Sequence, residues 1–255
     1  MLGIVAVALG GCATQTPPDV VSEETQFPPQ AQERRDVKKR MAQQQQEEYV
    51  VDKSDYVDAA ALTAEMPATE LSDTERDGLL LMREEEKLAR DVYTTLYEKW
   101  GQRIFTNIAG SEQTHMDAVK TLLDRYEVTD PVTDATVGVF TNAKLKRLYD
   151  ELVAQGSTSL VAALTVGATI EDLDIKDLNN LMAQTDNADI ITVYENLARG
   201  SRNHMRAFVR QLKNNGATYS AQYISQQELE AILAGVQERG NGGGKGRGGG
   251  MERNR

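Results

Sequence analysis

Apolar residues recur at helical spacing through the middle of the chain, from Leu71 to Gly216, and Pro131 is the only proline there. This pattern predicts an all-helical domain over residues 71–216. In a chain of 255 residues, such a segment is long enough for one compact domain flanked by tails.

Four long helices, A to D, are expected in this domain. They span about Asp73 to Trp100 (A), Arg103 to Tyr126 (B), Thr169 to Ala183 (C) and Ala188 to Asn214 (D). Ser72-Asp73-Thr74-Glu75 has the form of a capping box at the start of helix A, and Gly101 ends that helix. Because only a short turn leads to helix B, helices A and B are expected to be antiparallel neighbours.

The connections between the helices follow the order short, long, short. Roughly 40 residues separate helices B and C, with short helices expected around 142–155 and 159–166, and this stretch is too long for a hairpin loop. One long B–C crossover is typical of ferritin-like four-helix bundles. A last short helix near Gln226–Leu233, within residues 217–239, is expected to pack on the outside.

Both ends of the chain have compositions that disfavour a hydrophobic core. Residues 13–70 hold five of the six prolines and 12 acidic against 6 basic residues, which predicts a disordered tether. Residues 240–255 are rich in glycine with scattered lysine and arginine, which predicts a disordered, solvated tail.

The first 12 residues resemble the signal peptide of a bacterial lipoprotein. Residues 2–11 form an apolar run of the length found in export signals, and the run ends in a lipobox-like segment, Leu9-Gly10-Gly11-Cys12. Lipidation of Cys12 would anchor the protein to a membrane of the cell envelope, on the periplasmic side or the cell surface. No Lys or Arg precedes the run, so an ordinary apolar start with an incidental cysteine is the alternative.

Charge and cysteine content restrict the chemistry. The net charge is -11, which argues against a broad basic surface, and no nucleic-acid partner is expected. The single cysteine, Cys12, excludes an intrachain disulfide and multi-cysteine zinc sites. Any metal must therefore be held by oxygen and imidazole ligands, and His115 and His204 are the only histidines.

Both histidines lie in an internal repeat. Helix B contains Phe105-x-x-Ile108-Ala109-x-x-Glu112-x-x-His115-Met116, and helix D contains Tyr194-x-x-Leu197-Ala198-x-x-Ser201-x-x-His204-Met205. Residues three apart share a helix face, so Glu112 and His115 can bind one metal ion, and Glu112 can bridge to a second. On helix A, Glu86 and Tyr93 share a face in the same way; the alternative is that Glu84, Glu85 and Glu86 form a solvated run, at least in part.

Two resemblances bear on these motifs. The combination Glu-x-x-Ala-x-x-x-Tyr on helix A and Ile-Ala-x-x-Glu-x-x-His on helix B resembles rubrerythrin and other ferritin-like di-iron proteins. The segments EEEKLARDVY, FTNIAGSEQTHMDAV and VYENLARGSRNHMRAF resemble the ferritin-like family known as domain of unknown function 2202, over about residues 71–216. This resemblance implies the fold and a metal site, with Glu171 at the place on helix C that corresponds to Glu86 and Asp174 as its rival.

The chain departs from the di-iron pattern at Ser201, where a second Glu-x-x-His would have glutamate. The predicted ligands are Glu86, Glu112, His115, Glu171 and His204. Because these supply only three carboxylates, a water, an exogenous anion or Asp174 could complete the shell, and the site could hold one ion or two. Tyr93 either donates a proton or an electron near the site or only packs between helices.

Two functions follow from these predictions. The first is a membrane-tethered ferritin-like protein that binds iron or manganese and acts as an oxidase or in the reduction of dioxygen or peroxide. The second is a non-enzymatic tethered helical module, for binding or structure, with a degenerate metal site. Whether the protein is an enzyme and whether it forms a homodimer are left open.

Overall fold

The computed structural model describes residues 58–239, and all the regular secondary structure in this range is helical. Its helices are α1 (Ala59–Thr63), α2 (Asp73–Trp100), α3 (Arg103–Arg125), α4 (Ala143–Gly156), α5 (Leu160–Met182), α6 (Ala188–Asn214) and α7 (Gln226–Ala234). The prediction of an all-helical fold is confirmed. The predicted signal peptide, residues 13–57 of the predicted tether and the tail 240–255 lie outside the described residues.

The start and end of α2 show how local sequence fixes a helix. Glu75 donates its backbone N–H to the Ser72 hydroxyl over 3.3 Å, and its carboxylate accepts the Ser72 N–H over 2.8 Å, so the predicted capping box forms. Gly101 ends the helix with φ of 64°, a left-handed conformation that favours glycine. The chain can therefore turn into α3 within two residues.

The long helices α2, α3, α5 and α6 form the bundle. Gly78, near the start of α2, faces Leu181 near the end of α5, and Tyr126 after α3 bonds Asp189 at the start of α6. Helices α2 and α5 are thus antiparallel, as are α3 and α6. Since α2 and α3 are also antiparallel, α3 and α5 run in parallel, and the chain between them must travel back along the bundle.

This crossover, residues 126–159, is fastened to α2 by buried charged groups. Arg83 donates to both carboxylate oxygens of Asp130 and to the backbone carbonyl of Met116. Lys87 donates to the carbonyl of Thr136 and is fully buried. Such bonds give the long connection a fixed course, because a buried charge without partners is costly.

The prediction of a separate helix at 159–166 is wrong. Residues 160–182 form one continuous helix, α5, with Gly167 in its interior. An added Cβ at Gly167 would lie 2.3 Å from the Phe208 ring of α6. The Gly167-Ala168 pair therefore marks a close approach of two helices and not a break between them.

Residues 58–66, placed in the flexible tether by their composition, contain α1. Asp58 caps this helix by accepting the N–H of Ala61, and Ala59 and Thr63 are buried. Helix α1 packs against α3 and α6. The tether predicted for 13–70 thus includes residues that belong to the folded unit, because tertiary contact orders a segment whose own composition would not.

The core of the bundle consists of two apolar clusters. One surrounds Phe105 and Phe208, and the other surrounds Leu79 and Leu122. The polar residues predicted as metal ligands lie between the clusters. No helix within residues 58–239 is both long enough and apolar enough to cross a membrane.

Candidate metal centre

The five predicted ligands come together halfway along the bundle. Helix α2 contributes Glu86, α3 contributes Glu112 and His115, α5 contributes Glu171, and α6 contributes His204. Each is at most 2% exposed. Their oxygen and nitrogen atoms form two overlapping groups whose members lie within 4.8 Å of one another, and each group could hold a metal ion.

Glu112 is shared by the two groups. Its Oε2 lies 2.8 Å from Nδ1 of His115, and its Oε1 lies 2.9 Å from Nδ1 of His204. Glu86 completes the first group at 3.3 Å from His115, and Glu171 completes the second at 3.5 Å from His204. We call these the His115 half-site and the His204 half-site. The imidazole rings stack with centroids 5.7 Å apart, so the repeat produces two similar half-sites around one carboxylate.

Burial and mutual attraction set the pKa values in the centre. Burial raises the pKa of Glu86 to about 8 and also raises that of Glu171. Burial acts in the same direction on Glu112, but the two histidine charges outweigh it and hold the Glu112 pKa well below its usual range. Burial lowers the pKa of His115, but Glu86 and Glu112 together raise it to about 10. Positive charge, from protons or from a metal ion, therefore stabilises the buried carboxylates of the centre.

Several buried polar atoms in the centre make no hydrogen bond. Glu86 Oε1, Glu112 Oε1 and His204 Nδ1 all lack a hydrogen-bond partner; the last two lie close together, but without the alignment a hydrogen bond needs. Buried polar atoms are normally paired. A donor set of carboxylate oxygens and imidazole nitrogens suits iron or manganese, so these residues fit such an ion.

The two histidines differ on the far side of the ring. Nε2 of His204 is 3.0 Å from the Ser111 hydroxyl, whereas Nε2 of His115 has no hydrogen-bond partner and faces Gly200. An added Cβ at Gly200 would lie 2.6 Å from His115 Nε2. Neither Ser111 nor Gly200 was predicted from the sequence to belong to the centre. The repeat offered a signal, since each directly precedes the position of Glu112 or its counterpart Ser201.

Tyr93 both packs between helices and contacts the centre. Its ring lies 5.2 Å from that of Phe208 between centroids, and its hydroxyl donates to Glu171 Oε1 over 2.6 Å. Burial and the nearby charge of Glu171 raise the Tyr93 pKa well above its usual value. The hydroxyl therefore stays protonated at neutral pH and orients Glu171.

Ser201 and Asp174 form a pair beside the centre. The buried Ser201 hydroxyl donates to a carboxylate oxygen of Asp174, which is half-buried on α5. Neither residue belongs to the two ligand groups. Burial, followed by the charge of Glu86, raises the Asp174 pKa well above its usual value. Position 201 on α6 thus lacks a carboxylate, and Asp174, one turn after Glu171 on α5, places a carboxylate beside it.

The Glu84-Glu85-Glu86 stretch is not a solvated run, and only Glu85 is partly exposed. Glu84 is 4% exposed and accepts the backbone N–H groups of Thr141 and Asn142 at the start of α4. Glu85 is half-buried, and its Oε2 has no hydrogen-bond partner. The three carboxylates therefore serve three different parts of the fold.

Comparison with known proteins assigns the chain to a family. The model of the family described as "Uncharacterized protein domain (DUF2202)" matches residues 75–236. Uncharacterized protein MJ0754 of Methanocaldococcus jannaschii is 59% identical over 175 residues, which are 69% of this chain and 95% of the relative. The crystal structure of hypothetical protein MJ0754 aligns with a TM-score of 0.68 over 68% of this chain and 99% of that chain. The chain therefore belongs to the DUF2202 family.

Proposed function

We propose that this protein is a ferritin-like metalloprotein that binds iron or manganese at the centre of its bundle. The supporting observation is Glu112, which lies between the Nδ1 atoms of His115 and His204 at 2.8 and 2.9 Å. Glu86 and Glu171 close the two half-sites from α2 and α5. No reaction is assigned to the family, so the chemistry of the centre rests on the ligands alone.

Each ligand has a defined part in this proposal. Glu112 would serve as a ligand in both half-sites, and each histidine would serve in only one. The apolar clusters on either side exclude bulk water, which strengthens electrostatic interactions in the centre. Bound iron or manganese supplies one-electron chemistry suited to the reduction of dioxygen or peroxide. Tyr93 holds a proton at its hydroxyl beside Glu171.

The number of ions depends on charge balance. Two divalent ions carry four positive charges, and Glu86, Glu112 and Glu171 supply three negative ones. Ser201 replaces the carboxylate that α6 would otherwise add. With three carboxylates, the centre is expected to bind one ion, or two ions with unequal affinity.

The location of the protein is also a proposal. The lipobox-like segment that ends at Cys12, followed by residues 13–57, supports a lipid-anchored protein of the cell envelope whose folded part stands clear of the membrane. Labelling of the expressed protein with a radioactive fatty acid tests it. Label in the parent that is lost in Cys12→Ser supports the anchor, and an unlabelled parent contradicts it.

Metal counting tests the central proposal. The full chain is loaded anaerobically with Fe(II) or with Mn(II), and bound metal per chain is measured in the parent, His115→Ala and His204→Ala. Two bound ions per parent chain, with a lower count in both variants, would indicate a dinuclear centre. One ion, lost from one variant, would identify the histidine that holds it.

The same experiment can overturn the proposal. Circular dichroism first shows that the parent and both variants are folded, and Thr121→Ala on the exposed face of α3 serves as the control. A folded parent without specific metal would contradict the proposal. The substitution at Ser201 would then mark a degenerate site in a tethered helical module.

A further inference from the structure

A cavity between α2, α4 and α5 leads to the metal centre. The empty space between its lining residues, with the part open to solvent included, is about 350 Å³. Glu86, Glu112 and Glu171 form its inner end, and Glu85 and Asp174 also line it. The carboxylates of the centre are therefore reached from one side of the bundle past two further carboxylates.

Carboxylate oxygens in this cavity lack partners. Glu85 Oε2 and Glu86 Oε1 are buried and make no hydrogen bond, and Glu112 Oε1 makes only the ion pair with His204. Glu86 and Glu112 are 1% and 2% exposed. Unpartnered buried oxygens of one charge sign, grouped along one cavity, favour a cation as the missing partner.

Acidic groups surround Glu85 at the outer end of the cavity. Asp177 lies on the same helix as Asp174, one turn further on, and its charge acts on Glu85. Lys176 is the cation whose charge acts on Glu85, and it lies 3.9 Å from Asp177. Acidic groups thus outnumber the basic group at this opening.

Part of the cavity lining is apolar. Leu88, Leu145 and Leu148 contribute it from α2 and α4. A cleft that combines charges of one sign with low-dielectric walls concentrates the electric field and raises the local concentration of counter-ions. The leucines therefore strengthen the attraction that the carboxylates exert on a cation.

The position of Asp174 is fixed from α6. Ser201, at the place where the repeat would have a ligand, donates its hydroxyl to the Asp174 carboxylate. With this bond in place, Asp174 lines the cavity and lies outside both ligand groups. At position 201, serine therefore stands where the di-iron pattern would have a ligand glutamate, and its hydroxyl binds the carboxylate of Asp174 instead.

We infer that Glu85 and Asp174 form an outer binding site that divalent metal ions occupy only in passing, and that an ion moves from it along the cavity to the inner centre. The inference rests on the proposed function, because it assumes that the inner centre binds metal. In this inference, metal ions reach the centre through the cavity, and Glu85 and Asp174 affect the rate of metal uptake but not the final amount of metal bound.

The test compares uptake rate with final occupancy. The full-length parent, Glu85→Gln, Asp174→Asn and the double variant are mixed with Co(II) in a stopped-flow instrument, and the visible absorption of the bound ion is followed. We expect the double variant to load at least about tenfold more slowly at low salt, with unchanged Co(II) per chain at equilibrium. High salt should slow the parent toward the rate of the double variant.

Glu98→Gln is the matched control, since it removes one charge from an exposed position on the same helix as Glu85. Parent-like rates in the double variant would overturn the inference while leaving the proposed function intact. Loss of bound Co(II) in Asp174→Asn would also overturn it and would make Asp174 a ligand of the centre. A parent that binds no Co(II) would contradict the inference, and metal counting with Fe(II) and Mn(II) then decides the proposed function separately.

Discussion

At the scale of single residues, two histidines with the same place in a repeat have different surroundings. The repeat gives His115 and His204 the same relation to their helices, and both direct Nδ1 toward Glu112. Only His204 has a hydroxyl, that of Ser111, at Nε2. Because a bond at the outer nitrogen fixes the tautomer and orientation of a ligand histidine, the half-sites should differ in affinity.

Ser111→Ala should weaken the His204 half-site. Loss of the hydroxyl leaves Nε2 without a partner, and such losses typically reduce metal affinity about ten- to a hundredfold. Isothermal titration with Mn(II) measures the change, with Thr121→Ala as the control on the same helix. Affinity equal to that of the control would mean that the Ser111 bond does not orient His204.

Gly200→Ala should disturb the His115 half-site. The new Cβ would lie 2.6 Å from His115 Nε2, so the ring must move and metal bound at this half-site should fall. Gly110→Ala is the matched control, since nothing lies within 4 Å of its Cβ and helix propensity should stabilise it by up to about 1 kcal/mol. Equal metal content in both variants, measured by atomic emission, would contradict this role of Gly200.

At the scale of elements, the crossover between α3 and α5 depends on a few buried charged contacts. Arg83 is held between Asp130 and the carbonyl of Met116, which ties the crossover to α2 and α3. Arg83 is 6% exposed, and its two bonds to one carboxylate have the geometry of a strong pair. The crossover should therefore loosen when Asp130 loses its charge.

Asp130→Asn should destabilise the fold by about 1–2 kcal/mol, because it removes the charge from a bidentate pair. Amide hydrogen exchange should quicken in residues 126–142, while the centre of α3 stays protected. Asp134→Asn is the control in the same segment, where the exposed carboxylate accepts the nearby Thr136 N–H. Exchange that matches the control would show that other contacts hold the crossover.

At the scale of the whole molecule, the segment after α7 closes onto α6 through Glu238. Its carboxylate accepts hydrogen bonds from Arg202 and Arg206. These bonds lower the Glu238 pKa to about 2. A contact far from the arginines in sequence thus joins the end of the described chain to the bundle.

Glu238→Gln should lower stability at neutral pH by about 1 kcal/mol, after allowance for solvent screening. Because the folded pKa is lowered, this contribution is present above about pH 4.5 and is lost as pH falls toward 2. Thermal unfolding should show a melting temperature about 2–4 °C lower at pH 7 and parent-like near pH 2. Glu230→Gln on α7 is the control, and a constant difference across this pH range would refute the argument.

The sequence alone predicted most of the helices and the set of candidate ligands. Helical periodicity, the capping box and Gly101 act over a few residues, so they predicted α2 and α3 closely. The repeat gave Glu112 and His115 a common face for the same reason, and the resemblance to a family added Glu86 and Glu171. The length of the connection between α3 and α5, residues 126–159, was enough to predict a crossover.

Only the tertiary structure decided which polar groups face one another. Glu84, Glu85 and Glu86 are neighbours in sequence, yet one caps α4, one lines the cavity and one joins the centre. Ser111 contacts the His204 ring and Gly200 contacts the His115 ring, and in each case the ring lies on another helix. Helix α1 is ordered by packing against α3 and α6. Local sequence fixes the direction of a side chain from its own helix, but its partner is set by helices distant along the chain.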